Sequence, residues 1–168
     1  RVEQRTAELL KANVLLEREM VQRRQAEEAL RQSEVKYRHL VENANSIILE
    51  MNTSGNVTFV NKFSQEFFGY GEAEILGHNV IGTIFPSRDS TGKDLEAMIE
   101  DIVHHPTKYA HNENENMCRN GERVWIVWTN QPLYDEEGHL SKILCIGINR
   151  TEQKRTEETL AQQTKEQV

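Results

Sequence analysis

The sequence predicts an α+β fold: a five-stranded antiparallel sheet with helices on one face, flanked by a long N-terminal and a short C-terminal coiled-coil helix. Three observations carry this. All nine glycines and all three prolines lie between Gly55 and Gly147, so the first 54 residues and the last 21 contain no helix breaker. Short β-rich runs separated by turn residues fill the middle. Their order is two strands, then helices, then three strands, within about 100 residues, which is one domain built on one sheet. Residues 1–45 are assigned to the N-terminal helix, 46–149 to the globular domain and 150–168 to the C-terminal linker helix.

The first two strands are Ile47 to Met51 and Val57 to Asn61, and Asn52-Thr53-Ser54-Gly55 between them is strong turn chemistry, so they form a hairpin. Asn61 offers an N-cap for a short helix through Phe67. Gly71, with Glu74 three residues on, starts another that stops at Gly77. After Pro86, Leu95, Met98, Ile99 and Ile102 stand at helical spacing, and that helix ends before Pro106. Strands from Tyr109 to Cys118, Arg123 to Leu133 and Leu140 to Ile148 follow, joined at Asn120-Gly121 and at Asp135-Glu136-Glu137-Gly138.

In the opening helix a seven-residue repeat runs through Val2, Leu9, Leu16, Arg23, Leu30, Tyr37 and Ala44. The second half of the seam stands four residues later at Asn13 and Met20, then three residues later at Ala26, Ser33 and Leu40, a phase change in a coiled coil. So polar a helix buries too little alone, and Leu9, Leu16, Met20, Leu30 and Tyr37 are assigned to the seam of a parallel homodimer; a solvated helix packed on its own domain is the alternative. Lys154-Arg155-Thr156-Glu157-Glu158-Thr159-Leu160 echoes Arg24-Gln25-Ala26-Glu27-Glu28-Ala29-Leu30 at an offset of 130, as in a modular array, or as convergent composition in charged helices.

Residues 1–45 carry nine basic and eight acidic groups, and residues 46–148 seven and fifteen. An acidic domain without a basic stripe argues against nucleic acid and anionic lipid as partners. No stretch approaches the roughly 20 apolar residues of a membrane-spanning helix, and no signal peptide opens the chain. Two cysteines, Cys118 and Cys145, support neither a disulfide framework nor a thiolate metal site, which points to the cytoplasm. Beginning at Arg1 and ending in a polar run, the chain reads as a segment of a longer protein, whose membrane anchorage is left open.

Gly55-Asn56-Val57-Thr58-Phe59-Val60-Asn61, Phe68-Gly69-Tyr70, Glu74-Ile75-Leu76-Gly77 and Asn120-Gly121-Glu122-Arg123-Val124-Trp125, in that order and spacing, resemble a PAS domain over residues 34–151. The lead-in Ala26 to Glu34 and Tyr37 to Ala44 is similar to the connector preceding PAS domains of bacterial and archaeal sensor histidine kinases. The resemblance implies a signal-input module whose output domain lies elsewhere. In light-oxygen-voltage PAS domains the photoactive cysteine follows Gly-x-Asn, and here the match is Gly77-His78-Asn79-Val80, which excludes a covalent flavin adduct. Two flavin-contacting positions fall on Asn116 and Asn149 but a third on Ile126, which argues against dark flavin. The haem-ligating histidine of oxygen-sensing PAS domains falls on Lys93, a poor ligand while protonated, and His78, His104, His105 and His111 lack the spacing of a metal site.

His111-Asn112-Glu113-Asn114-Glu115-Asn116 alternates along a strand, so one face receives three asparagines. In the register that the resemblance implies, this face also carries Ile126, Trp128 and Asn130 and points at the long helix, where ligands sit in this family. Buried amides need partners, and these are a small polar ligand, with Trp128 and Met98 as apolar contacts, or ordered water, or solvent at the sheet end. Phe63, Phe67, Phe85, Ile99 and Ile102 read as core. No catalytic triad, phosphate loop or acid pair stands out, so the segment reads as non-enzymatic.

The exit joint, Asn149, Arg150, Thr151 and Glu152, is assigned to signal relay, with Asn149 and Glu152 as a capping box. Where PAS domains usually carry Asp-Ile-Thr, this chain has Asn149-Arg150-Thr151 in one alignment. In another it lacks the Asp-Ile pair, which turns the following helix by about 200°. Two functions remain open: a ligand-binding sensor relaying through dimeric helices, or a ligand-free scaffold for dimerisation and spacing.

Overall fold

In a computed structural model that describes residues 1–166, the chain divides into two compact units, Arg1–Val41 and the part beginning at Glu42. The first unit is helix α1 (Val2–Glu42), unbroken because no Gly or Pro interrupts it, and it buries no residue. Its seam residues Leu9, Leu16, Met20, Leu30 and Tyr37 are all more than half exposed. The helix ends at Glu42, so Ala44, the last position of the heptad, lies outside it.

The second unit holds one five-stranded antiparallel sheet in the order β2-β1-β5-β4-β3. Its strands are β1 (Ile47–Asn52), β2 (Val57–Val60), β3 (His111–Met117), β4 (Arg123–Tyr134) and β5 (Leu140–Asn149). The helices are α2 (Lys62–Phe68), α3 (Glu72–Ile75), α4 (Leu95–His104) and α5 (Thr151–Glu166). The predicted β1–β2 hairpin forms, and the central strand β5 pairs with β1 and β4. No helix of the described residues is long and apolar enough to cross a membrane.

Asn61 does more than cap α2. Its Oδ1 accepts from the Ser64 N–H at 3.0 Å and from the Ile48 N–H at 3.2 Å, while its Nδ2 donates to the Ser46 carbonyl at 2.9 Å. One fully buried amide thus starts α2 and ties it to β1. Gly69 closes α2 in the left-handed region, at φ 81°, donating its N–H to Gln65. Helix α3 is a single turn that ends short of Gly77, because the Gly77 N–H is taken by the Val57 carbonyl of β2. Asp94 caps α4 through the Ala97 N–H, and Leu95, Met98, Ile99 and Ile102 form its buried stripe.

Two boundaries differ from the sequence reading. Tyr109 does not begin a strand: Pro106–Tyr109 is a 3-10 turn, with proline at its start and Asp101 gripping Lys108 and Tyr109, so β3 starts at His111. Asn149 and Glu152 do not form a capping box. Asn149 ends β5, and its Oδ1 accepts from the N–H and hydroxyl of Thr151 two residues on, so α5 begins at Thr151.

Inward side chains of the three central strands meet at Gly147, which pairs with Ile47 on one side and Trp128 on the other. A Cβ there would lie 2.8 Å from Ile126 Cγ2 and 2.9 Å from Trp128 Cζ3. Gly147→Ala is therefore expected to lower the unfolding free energy by about 1–3 kcal/mol in urea titration, the usual cost of overpacking, rather than stabilise the strand.

Candidate functional site

The segment from α2 to α4 covers the inner face of the sheet and leaves a cavity of about 10 Å³ between α4 and the strands, room for about one water. Met98, Ile99 and Ile102 of α4 form one wall, with Phe85 and Val80 beside them. Leu49 and Met51 of β1, Cys145 of β5, Trp128 and Asn130 of β4 and Asn112 of β3 form the sheet side. Burial pushes the Cys145 thiol up to about 12, with a smaller effect from Glu50, so it stays neutral and acts as apolar lining.

Of the residues singled out in the sequence, Asn112, Trp128, Asn130 and Met98 line this cavity, whereas Asn114, Asn116 and Ile126 are buried nearby but not in its wall. Leu49, Met51, Val80 and Cys145 were missed. The apolar alternation of Ile47, Leu49 and Met51 was the available signal, since every second strand residue faces inward. Phe85, Ile99 and Ile102, read as core, are core and cavity wall at once. Phe63 and Phe67 pack against the core outside the cavity.

The asparagine face forms as the alternation predicts, but its amides are mostly satisfied within the protein. Asn116 Nδ2 donates to the Ile84 carbonyl at 3.1 Å, and its Oδ1 accepts from Trp128 Nε1 at 3.1 Å. Asn130 Nδ2 donates to the Tyr109 carbonyl at 2.8 Å and to Asn112 Oδ1 at 2.6 Å, while Asn112 Nδ2 points at Met98 Sδ, 3.8 Å away. Phe85 stacks on Trp128 with centroids 5.8 Å apart. Asn114 differs: its Oδ1 accepts from Lys93 Nζ at 3.2 Å, and its buried Nδ2 has no partner.

Lys93, on which the haem-ligating histidine falls, stands in the segment before α4. Val80, at the photoactive-cysteine position, does face the cavity. Asn149 is exposed and engaged with Thr151. His105 meets Asp101, and His111 meets the Thr129 hydroxyl. Among the described residues no three His, Cys, Asp or Glu side chains gather as metal ligands.

The exit joint is built on β4. The Trp125 carbonyl accepts from the Arg150 N–H at 2.8 Å, and the Trp125 N–H donates to the Thr151 hydroxyl at 3.0 Å. Arg150 reaches Glu113 of β3 at 3.4 Å and Glu157 of α5 at 3.3 Å. Lys154 lies 4.6 Å over the Trp125 ring and 3.6 Å from Glu113. Glu152, the fourth predicted relay residue, is exposed in the first turn of α5.

Residues 35–150 match the family profile described as the PAS fold. Over 142 residues the chain is 25% identical to the two-component sensor PprA of Pseudomonas aeruginosa; that alignment covers 83% of this chain, which spans 15% of the length of that curated relative. Among solved structures, the PAS domain of an HTR-like protein from Haloarcula marismortui superposes with a TM-score of 0.58 at 17% identity, covering 75% of this chain and 98% of that one. A sensory box histidine kinase/response regulator from Burkholderia thailandensis gives 0.56 at 20%, covering 78% and 96%. At these identities the structural likeness is one of fold.

At the end of α4, Asp101 accepts from the Tyr109 hydroxyl at 2.6 Å, from Lys108 Nζ at 3.1 Å and from His105 Nδ1 at 2.9 Å. These bonds, Tyr109 first, hold its carboxyl well below the ordinary value of 3.8. Because the folded pKa is depressed, the stability this carboxylate contributes is present above 3.8 and is lost as pH falls through the folded pKa. Asp101→Asn is expected to lower stability at neutral pH and to flatten the acid limb of the profile, read by urea titrations between about pH 2 and pH 7.

Proposed function

The chain belongs to the PAS family, and from that premise we propose that it is the signal-input module of a larger signal-transduction protein, a sensor histidine kinase. In this reading a small ligand occupies the cavity beneath α4, with Asn112, Asn114, Asn116, Ile126, Trp128, Asn130 and Met98 around it. The change passes through β4 to the joint formed by Asn149, Arg150, Thr151 and Glu152, and on through dimeric coiled-coil helices in the cytoplasm.

The observation that carries this reading is that one strand serves both places. Trp128 of β4 lines the cavity on the inner face, and three residues earlier the Trp125 backbone holds the start of α5. Pleating sends the two side chains to opposite faces of the same rigid strand, so a shift of β4 at the cavity moves the root of the helix. A bond path of this kind becomes a signal only if the ligand prefers one of two states.

The exposed seam of α1 supports pairing with a second copy, since a 41-residue helix burying nothing gains no stability from packing. The competing reading is a ligand-free scaffold, and the cavity of about 10 Å³, too small for any organic ligand without rearrangement, favours it.

Two measurements test the relay. Glu113→Gln removes the carboxylate that Arg150 and Lys154 share, and amide exchange over the first turns of α5 is expected to rise about fivefold, the effect of ~1 kcal/mol, while β4 and β5 stay protected. Unchanged exchange there removes the joint from the mechanism. Deleting residues 1–30 is expected to shift the protein from dimer towards monomer in light scattering, and a fully dimeric truncated protein refutes the role of the coil.

A further inference from the structure

Asn114 is 1% exposed, and among the described residues its Nδ2 is the one buried amide donor of its sheet face left without a partner. Its orientation is set by Lys93, whose Nζ donates to Oδ1 and thereby fixes Nδ2 as the free end. A buried amide donor in this condition destabilises the fold unless something accepts from it.

The charges around it are otherwise matched. Arg88 pairs with Asp94 at 3.8 Å and Arg123 with Glu115 at 3.1 Å, and Glu115 also accepts from the Ser90 hydroxyl at 2.7 Å. Asp89 closes its own turn, accepting from the N–H and hydroxyl of Thr91 and from the N–H of Lys93. Lys93 is solvent-exposed, it forms no salt bridge among the described residues, and its charge acts through space on the Asp89 carboxylate. One exposed cation and one buried amide N–H, both donors, therefore meet at Asn114 with no anionic acceptor bonded to either among the described residues.

We propose that Lys93 and Asn114 are the head-group subsite for a small organic carboxylate whose short apolar body enters the adjoining cavity. This rests on the ligand-binding reading above and names the chemistry of the ligand. A carboxylate presents two oxygens in one plane, one to accept from Lys93 Nζ and one from Asn114 Nδ2, and its single charge matches the single ammonium. A phosphate brings a further charge, and the nearby Arg88 and Arg123 are already paired with Asp94 and Glu115.

Asn112, which lines the cavity, is one pleat repeat from Asn114, about 7 Å along the same strand face. A head group at Asn114 thus directs a short chain towards Trp128, Phe85 and Met98. A cavity of about 10 Å³ admits no such chain as it stands. The part that must yield is the segment preceding α4, held to β3 by the Lys93–Asn114 and Ser90–Glu115 bonds, so occupancy and the position of that segment are linked.

The test is thermal shift and calorimetry on the whole chain with formate, acetate, propionate and butyrate, each beside its neutral amide, together with native mass spectrometry of the protein as purified. At least one of the four acids is expected to bind and raise Tm, and its amide is not. Lys93→Gln is expected to weaken that acid about tenfold to hundredfold, the range of a charged hydrogen bond. Lys93→Arg is expected to restore it, and Asn114→Leu to abolish it with the circular dichroism spectrum unchanged. Amides binding as tightly as acids, or acids indifferent to Lys93→Gln, overturn the carboxylate subsite while leaving a ligand-binding pocket standing. No binding by any probe at about 10 mM, with no retained molecule in the mass spectrum, overturns both in favour of the scaffold.

Discussion

Trp128 lies across the neighbouring strand and fits only because Gly147, opposite it in the ladder, has no side chain. The placement of that ring decides much of what surrounds it. Its indole N–H reaches Asn116, the other end of the Asn116 amide reaches the Ile84 carbonyl, and Phe85 stacks on its face. A single close approach in the sheet therefore fixes where the segment through residues 84 and 85 crosses the inner face, and with it the floor and one wall of the cavity. Large rings packed in this way contribute through area and through hydrogen-bond geometry, and neither tolerates a shift of half an ångström.

Polar groups on the same face follow a stricter rule. A short amide cannot snorkel to water as lysine does, so each buried donor must find its acceptor inside. Asn116 and Asn130 donate to the Ile84 and Tyr109 carbonyls, Asn130 also to Asn112 and Trp128 to Asn116, while Asn112 itself donates to the Met98 sulfur. The network holds together the corner where α4 turns into β3, because the Tyr109 carbonyl that receives Asn130 belongs to the 3-10 turn anchored by Asp101. A molecule larger than water reaches this face only by displacing a side chain or moving a segment, so binding and conformational change are coupled by packing.

The opposite face of the sheet carries the exit. Glu113, Arg150, Lys154 and Trp125 gather there because residues of odd number on β3 and β4 point away from the cavity. Two cations on one partly buried carboxylate, one of them also over an indole, hold the first turns of α5 more firmly than an exposed pair does. Cavity and exit are thus back-to-back features of the same two strands. That arrangement is the physical content of the proposed sensor, and a scaffold would use the same joint to set the spacing of its helices.

Much of this was legible in the chain itself. Glycine and proline placement delimits the flanking helices, the Asn52–Gly55 turn makes the hairpin, Asn61 and Asp94 announce their helices, and the asparagine alternation puts three amides on one face. These are local matters, decided by backbone sterics, capping and strand pleat, and they survive in any context. Partnerships across the fold were not legible. Whether Asn116 meets a ligand or Trp128, that Leu49, Val80 and Cys145 line one cavity with Met98, and that Lys93 leaves Asn114 half satisfied all depend on distances between residues far apart in the chain. The sequence determined which groups face inward; only the tertiary structure decided which of them meet, because hydrogen bonds and close packing act over a few ångströms that no spacing along the chain encodes.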